Sequence, residues 1–136
     1  MRYIALAGRV CYSAIFLLAP MAHFSPQAVS YAAQQGVPMA TLMVPLSGLV
    51  ALAGGLSVLL GYKTRIGAWL LVLFLVPVTF SMHNFWTVTD PMMLQIQRAM
   101  FFKNVALTGA ALLLTHFGAG PLSLDARPGR SPVGGG

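Results

Sequence analysis

Charged residues are scarce in this sequence. Only 7% of its 136 residues are Asp, Glu, Lys or Arg, whereas 57% are hydrophobic. A water-soluble domain averages about a quarter charged residues, so the composition excludes an ordinary globular protein in water. It also excludes a disordered chain, because disordered segments are polar and rich in charge. The length leaves room for a single domain.

Acidic residues and cysteines are scarcer still. Asp90 and Asp125 are the two acids, and Cys11 is the one cysteine. We expect the two acids on opposite faces of a membrane, which excludes paired-carboxylate catalysis within the chain. One thiol excludes an intramolecular disulfide and a CxxC dithiol. The sequence has no Ser-His-acid set, Walker loop or dinucleotide fingerprint. We therefore expect a subunit without its own complete catalytic site.

Four long apolar segments are present instead, at residues 4–22, 41–60, 66–82 and 100–117. Each is long enough to cross a hydrocarbon core of roughly 30 Å as a helix. The segments lack the alternation of a strand, and lipid admits only helices or closed barrels. The residues at 19–22 form a poor cleavage site, so the first segment is expected to be a retained helix. The sequence predicts an all-α membrane protein, a bundle of four transmembrane helices.

The basic residues predict how this bundle is oriented. Lys and Arg outnumber Asp and Glu by eight to two. They are scattered singly between apolar runs, which favours anchoring at a membrane surface over nucleic-acid binding. With four crossings, six share the face of both termini: Arg2, Arg9, Lys63, Arg65, Arg127 and Arg130. The opposite face has only Arg98 and Lys103. Excess Lys and Arg mark the cytoplasm, so we predict an N-in/C-in protein of the bacterial inner membrane.

The connections between the segments predict further features. Residues 1–118 are expected to form the transmembrane domain, and residues 119–136, rich in Gly, Pro and Arg, a disordered cytoplasmic tail. Ser25 and Pro26 predict the start of a short helix at the outer surface. Asp90 and Pro91 predict the start of a helix that continues into the fourth crossing.

Small residues predict where these helices pack closely, because they let helices approach each other in lipid. On the second crossing they are spaced by four, at Ser47, Ala51 and Gly55. On the fourth crossing, Gly109 lies with Ala106 and Ala110 in a similar group.

Polar residues near the outer end of the bundle are candidates for a ligand site, because polar groups in a membrane are costly. Lys103 and Asn104 are expected near the outer end of the fourth helix, and His83 and Trp86 end the third. Together they predict the lining of a pocket for an anionic or quinone-like ligand. The alternative is that Lys103 reaches the headgroups, Asn104 bonds a neighbouring helix and Trp86 belongs to the interfacial aromatic belt.

Histidines and methionines suggest a second kind of site. Apart from Met1, every methionine is expected in the outer half: Met21, Met39, Met43, Met82, Met92, Met93 and Met100. Thioethers and imidazoles are soft ligands that suit Cu(I). The candidate metal ligands are His23, His83, Met21 and Met82, and haem between the two histidines is a weaker alternative. Methionine also fills irregular gaps between helices and loops, which would need no metal.

Short motifs spread along the chain resemble those of the DoxX family of small four-helix membrane proteins. In chain order they are Gly8-Arg9-Val10, Gly36-Val37-Pro38, Gly48-Leu49-Val50, Gly54-Gly55-Leu56, Lys63-Thr64-Arg65, His83-Asn84-Phe85-Trp86, Phe102-Lys103-Asn104 and Gly120-Pro121-Leu122-Ser123-Leu124-Asp125. Two positions depart from that family's pattern: His23 stands in place of a lysine, and Ala51 in place of a glutamate.

The resemblance implies an auxiliary or anchoring subunit of a redox system, either of sulfur and thiol oxidation or linked to quinone. Two alternatives remain at this point. One is a copper-handling membrane protein that uses the outer His and Met residues. The other is a purely structural membrane anchor. The expected partners are the lipid bilayer and either a protein partner or a second copy of the chain, without nucleic acid.

Overall fold

The structure of the protein is a computed structural model, and it describes residues 1–127. Helix α1 spans Arg2–Leu18 and continues as a 3₁₀ helix over Ala19–Phe24. The remaining helices, in chain order, are α2 (Pro26–Gln34), α3 (Ala40–Leu60), α4 (Thr64–Met82), a 3₁₀ turn (Phe85–Thr87) and α5 (Pro91–Phe117). Residues 1–127 contain no strand.

Four stretches of this chain are long and apolar enough to cross a membrane. They are Arg2–Phe24, Ala40–Leu60, Thr64–Thr87 and Pro91–Phe117. Together with the all-helical structure, they confirm the predicted bundle of four transmembrane helices. The outer end, as we name it here, carries residues 19–39 and 83–91, and the inner end carries the turn at 61–63 and residues 118–127. The cytoplasmic placement of the inner end stays a prediction.

Two helices begin where their local sequence predicts. The side chain of Ser25 accepts a hydrogen bond from the Ala28 N–H, with Pro26 at the first position of α2. Asp90 likewise accepts from the Met93 N–H at the start of α5. These side chains satisfy backbone donors that have no partner within the helix. Helix α5 then continues without a break into the fourth crossing, and both predictions are confirmed.

The helices pack in sequence order: α1 against α3, α3 against α4, and α4 against α5, with α2 lying on α3. The core runs through the bundle and consists of the buried residues Phe16, Ala51, Val58, Leu71, Leu75 and Ala111. Across the bundle, the hydroxyl of Tyr12 on α1 donates to the carbonyl oxygen of Leu107 on α5, at 2.9 Å.

Glycines of α3 bring its neighbours close. A Cβ atom added at Gly55 would lie 2.9 Å from the Cβ of Phe16 on α1, and one added at Gly54 would lie 2.7 Å from a side-chain carbon of Leu71 on α4. Ala51, on the same helix, is fully buried. The small residues of α3 therefore form a packing interface as predicted. The second predicted group does not: a Cβ added at Gly109 would meet nothing within 4 Å, because this face of α5 lies on the bundle surface.

At the inner end, Arg9 is buried with 3% of its surface exposed. Its guanidinium donates to the carbonyl oxygens of Leu59 and Leu122, while its Nε has no partner. Carbonyls at the end of a helix lack donor partners within it, so Arg9 supplies a donor to the end of α3. Arg9 therefore links α1 to the end of α3 and to the segment after α5 by hydrogen bonds, in addition to being a basic residue of this face.

The segment after α5 returns to the turn between α3 and α4. The N–H groups of Leu124 and Asp125 donate to the carbonyls of Leu60 and Gly61. Residues 119–127, the described part of the predicted tail, thus form no helix but are hydrogen-bonded to the bundle. The prediction of disorder for residues 128–136 lies outside the described residues.

Candidate ligand cavity at the outer end

A cavity of about 500 Å³ lies at the outer end of the bundle. We call it the outer cavity. Its walls come from the 3₁₀ helix after α1, from α2 and the loop that follows, and from the facing ends of α3 and α4. The lining residues are His23, Ala28, Tyr31, Ala32, Gly36, Val37, Pro38, Met43, Val44, Leu46, Ser47, Val50, Leu73, Phe74, Pro77, Val78, Ser81 and Met82. None of them is Asp, Glu, Lys or Arg, and most are apolar. Its volume lies in the usual range for small-molecule sites, roughly 300–1,000 Å³.

A short chain of hydrogen bonds forms the main polar feature of the lining. The Nδ1 of His23 lies 3.2 Å from the Oγ of Ser47 on α3. The Ser47 hydroxyl in turn donates to the carbonyl oxygen of Val44, at 2.7 Å. The 3₁₀ helix approaches α3 closely at this point because residue 48 is glycine: a Cβ added there would lie 2.9 Å from the Cβ of His23. These contacts fix the imidazole at the cavity wall.

Helix α4 lines the outer cavity along its length, from Leu73 to Met82. The ring of Phe74 lies 5.7 Å from that of His23, centre to centre, and marks the deep end. Met82 is eight residues further along α4, about 12 Å nearer the outer surface at the rise of a helix. The outer cavity is therefore elongated along the bundle axis, with the imidazole near its inner limit.

A tight turn after α2 forms the side of the outer cavity nearest the outer surface. The N–H groups of Gly36 and Val37 donate to carbonyls in the last turn of α2. Gly36 has φ +83°, a conformation that glycine adopts without the steric cost of a side chain. Met39 takes the same left-handed region at φ +51°, which is unusual for a residue with a side chain. These residues turn the chain from the outer surface into α3 and close one end of the outer cavity.

The residues predicted to line a quinone-like pocket lie elsewhere, in the segment that follows α4 and on α5. None of the four lines the outer cavity. The Nδ1 of His83 contacts Oε1 of Gln97 at 2.8 Å, and Lys103 is exposed, with its amine 3.4 Å from the sulfur of Met100. Asn104 is buried in α5.

Trp86, the last of these four, belongs to an aromatic cluster at the outer end of α4 and α5. The members of this cluster are Phe80, Phe85, Trp86, Phe101 and Phe102. Trp86 is 57% exposed on the outside of the bundle. That position is typical of the aromatic belt of membrane proteins.

The structure does not bring the predicted metal ligands together. His23 and Met82 both line the outer cavity, but His23 lies beside Phe74, eight residues before Met82 on α4. Met21 is 65% exposed on the bundle surface, and His83 pairs with Gln97. Met43, which is not one of the four candidate metal ligands, also lines the outer cavity. Within residues 1–127, no three His, Cys, Asp or Glu side chains form a cluster that could hold a metal ion.

Ser47 is a functional candidate that the sequence does not reveal as such, because its spacing with Ala51 and Gly55 predicts helix packing. Its partner His23 precedes it by 24 residues, a separation without a local signal. The pairing of a hydroxyl within one apolar segment and an imidazole at the end of another could have suggested it, since each needs a partner in lipid.

The fold and the outer cavity define a small integral membrane protein whose helices enclose a ligand-sized space in one half of the bilayer. Comparison with known sequences identifies the family within this class of protein. The chain belongs to the SURF4 family, whose pattern matches residues 1–129.

Three relatives illustrate the similarity. The inner membrane protein YphA of Escherichia coli K12 is 32% identical over 103 residues, which cover 73% of this chain and 70% of that protein. The inner membrane protein YqjF of the same strain is 27% identical over 120 residues, which cover 88% of each chain. The ER-derived vesicles protein ERV29 of Saccharomyces cerevisiae is 29% identical over 77 residues, 57% of this chain and 24% of that protein. No solved structure matches significantly.

These findings correct one prediction and confirm another. The assignment to the DoxX family is wrong, because the matching family is SURF4. The motifs behind it are short, and each of them is weak on its own. The predicted location is confirmed: four apolar spans and two inner-membrane relatives identify a multi-pass inner membrane protein.

Proposed function

We propose that this protein binds one neutral lipophilic molecule from the outer half of the bilayer in the outer cavity. The observation that carries the proposal is the lining itself, which is mostly apolar and lacks charged side chains. A charged headgroup would lose its hydration there without gaining a counter-ion, which is costly. An uncharged molecule with an apolar body and one polar group matches the lining and the His23–Ser47 pair.

Access from the lipid supports the same proposal. Leu46 of α3 and Leu73 of α4 both line the outer cavity, and they are 46% and 64% exposed on the bundle surface. These side chains would face acyl chains in a membrane, so a ligand dissolved in the bilayer can reach the outer cavity sideways between α3 and α4. It need not cross the water phase.

The redox role that the family resemblance implied is a narrower form of this proposal, and the corrected family no longer supports it. A quinone is an uncharged ring with an apolar tail, so by charge and polarity alone it falls within the proposed class of ligand. The copper role is less well supported, since Met82 is eight residues beyond Phe74, the ring beside His23, which is about 12 Å along α4. A metal site needs its ligands within about 2–2.5 Å of one ion.

The proposal predicts that a molecule copurifies with the protein and that filling the outer cavity removes it. Val78→Trp places a large side chain in the lining. Val105→Trp is the matched control, because Val105 lies on the exposed face of α5. Proteins extracted with their surrounding lipid are compared by mass spectrometry of the bound organic fraction.

We expect one neutral species to be enriched with the wild type and with Val105→Trp, and to fall at least fivefold with Val78→Trp. The same bound fraction in all three samples, with Val78→Trp still folded by circular dichroism, would contradict the proposal. A bound quinone would support the narrower redox role, and bound copper with no organic species would favour the metal alternative.

A further inference from the structure

We infer that the outer cavity selects a ligand whose headgroup donates a hydrogen bond, namely a neutral amphiphile that carries a hydroxyl group. This inference rests on the proposed function and makes its ligand class specific. The inference follows from the direction of the hydrogen bond between His23 and Ser47. If His23 donates from Nδ1, its other ring nitrogen, Nε2, can accept a hydrogen bond from the ligand.

The hydroxyl of Ser47 sets this direction. A serine hydroxyl has one proton to donate, and this proton goes to the carbonyl oxygen of Val44, at 2.7 Å. We infer from the shorter of these two contacts that the Ser47 Oγ accepts at its 3.2 Å contact with His23 Nδ1. His23 donates from Nδ1, which assigns the proton of the imidazole to that nitrogen.

The imidazole is neutral in this setting, because no carboxylate lines the outer cavity and an unpaired charge would be costly there. A neutral imidazole with its proton on Nδ1 has a lone pair on Nε2. Within the described residues, the ring contacts Ser47 through Nδ1, and the Val44 carbonyl that accepts from Ser47 is a second acceptor beside the ring. Nε2 is thus available as an acceptor.

The packing of the ring directs Nε2 away from α3. The Cβ of His23 lies against Gly48, where an added Cβ would come within 2.9 Å. Nε2 is on the side of the ring opposite to Cβ, so it points away from that contact. The Phe74 ring lies beside the imidazole and excludes water from one of its faces. A hydroxyl that enters along α4 can donate to Nε2 at the deep end.

Headgroups without a donor are discriminated against at this position. A quinone, ester or ether would present oxygen lone pairs to the lone pair of Nε2, and this buried acceptor would stay unpaired. The other hydroxyls of the lining, Tyr31 and Ser81, belong to α2 and to the outer end of α4. Ser81 is seven residues beyond Phe74, about 10 Å away along the helix. A hydroquinone, sterol or long-chain alcohol is therefore preferred over its oxidised or etherified counterpart.

The first test observes the proton on His23 directly. Protein labelled with ¹⁵N-histidine in lipid nanodiscs gives nitrogen chemical shifts that distinguish the two tautomers, and replacing His83 and His116 in turn assigns the signals. We expect His23 as the neutral Nδ1–H tautomer. Ser47→Ala should abolish this preference, whereas Ser81→Ala, the same change elsewhere in the lining, should keep it. The Nε2–H tautomer in the wild type would overturn the inference.

The second test compares two probes with the same tail, 1-dodecanol and dodecyl methyl ether. Their binding is measured by the thermal stabilisation of the detergent-solubilised protein at equal mole fraction in the micelle. We expect the alcohol to bind about threefold to tenfold more tightly, as one neutral hydrogen bond predicts. His23→Phe keeps a ring at this position and should reduce the ratio to about one.

The outcomes separate this inference from the proposed function. Equal binding of both probes by the wild type, sensitive to Val78→Trp, would refute selection by His23 and leave the outer cavity as a binding site. Failure of both probes to bind would refute the proposed function and this inference with it. An alcohol preference that survives His23→Phe would place the acceptor at another residue and overturn the inference.

Discussion

At the scale of single residues, Asp125 shows how one side chain joins distant parts of the chain. Its carboxylate accepts from the N–H groups of Lys63 and Thr64 and from the Thr64 hydroxyl, at 2.8–3.0 Å. It therefore caps the start of α4 from a position 61 residues further along the chain. A negative charge is also favourable at a helix N-terminus because of the helix dipole.

We predict that Asp125→Ala lowers the stability of the solubilised protein by about 2 kcal/mol, through loss of the cap and of the charge at the dipole. Asp90→Ala is the control. It removes one hydrogen bond and a charge at the exposed start of α5, where solvent and salt weaken the effect of the charge, so it should cost about 1 kcal/mol or less. Denaturant or thermal unfolding in detergent measures both. Equal effects of the two substitutions would mean that the returning segment contributes nothing beyond an ordinary cap.

The distance along the chain between a residue and its partner explains which residue roles could be predicted from the sequence. The caps at Ser25 and Asp90 lie next to the helices they start, so the local sequence contains the whole signal. The roles of Asp125, Arg9 and Ser47 depend on partners between 24 and 113 residues away. No local pattern contains those pairings, because they exist only once the helices have packed.

At the scale of elements, the interface between α1 and α3 depends on glycine. A Cβ added at Gly55 would lie 2.9 Å from Phe16 Cβ and 3.4 Å from its main-chain carbon. Backbone cannot move aside as the end of a flexible side chain can. A large residue here must separate the two helices.

We therefore predict that Gly55→Leu destabilises the bundle by about 1–3 kcal/mol or more. Gly109→Leu, the same change on α5, should have little effect, because a Cβ there would meet nothing within 4 Å. Thermal unfolding in detergent compares the two. A loss of stability with Gly109→Leu and none with Gly55→Leu would show that the packing faces of α3 and α5 are assigned the wrong way round.

The elements themselves were predictable from the sequence, whereas the outer cavity was not. Apolar length and caps determine where each helix lies, and these are properties of one segment at a time. The outer cavity forms where α2 and the loop at 36–38 fold over the ends of α3 and α4. Its position depends on the turn at Gly36 and on the close approach at Gly48, so the predicted pocket was placed between α4 and α5 instead.

At the scale of the whole molecule, the inner and outer ends of the bundle differ in chemistry. Arg2, Lys63, Arg65 and Arg127 belong to the inner end and are exposed, where anionic headgroups would surround them. The outer end has the outer cavity and the aromatic cluster, with Arg98 and Lys103 as its basic residues. A bilayer with anionic lipids on its cytoplasmic leaflet favours the orientation that places the inner end there.

We predict on this basis that both termini face the cytoplasm and that α2 with the outer cavity faces the periplasm. Green fluorescent protein and alkaline phosphatase, joined in turn after Gln35 and after Gly136, report the side of each position. Fluorescence at residue 136 and phosphatase activity at residue 35 are expected. A fusion within the turn at 61–63 is the internal control and should behave like the one at residue 136. The reverse pattern would place the outer cavity in the cytoplasmic leaflet, so that its ligand would have to come from that side of the membrane.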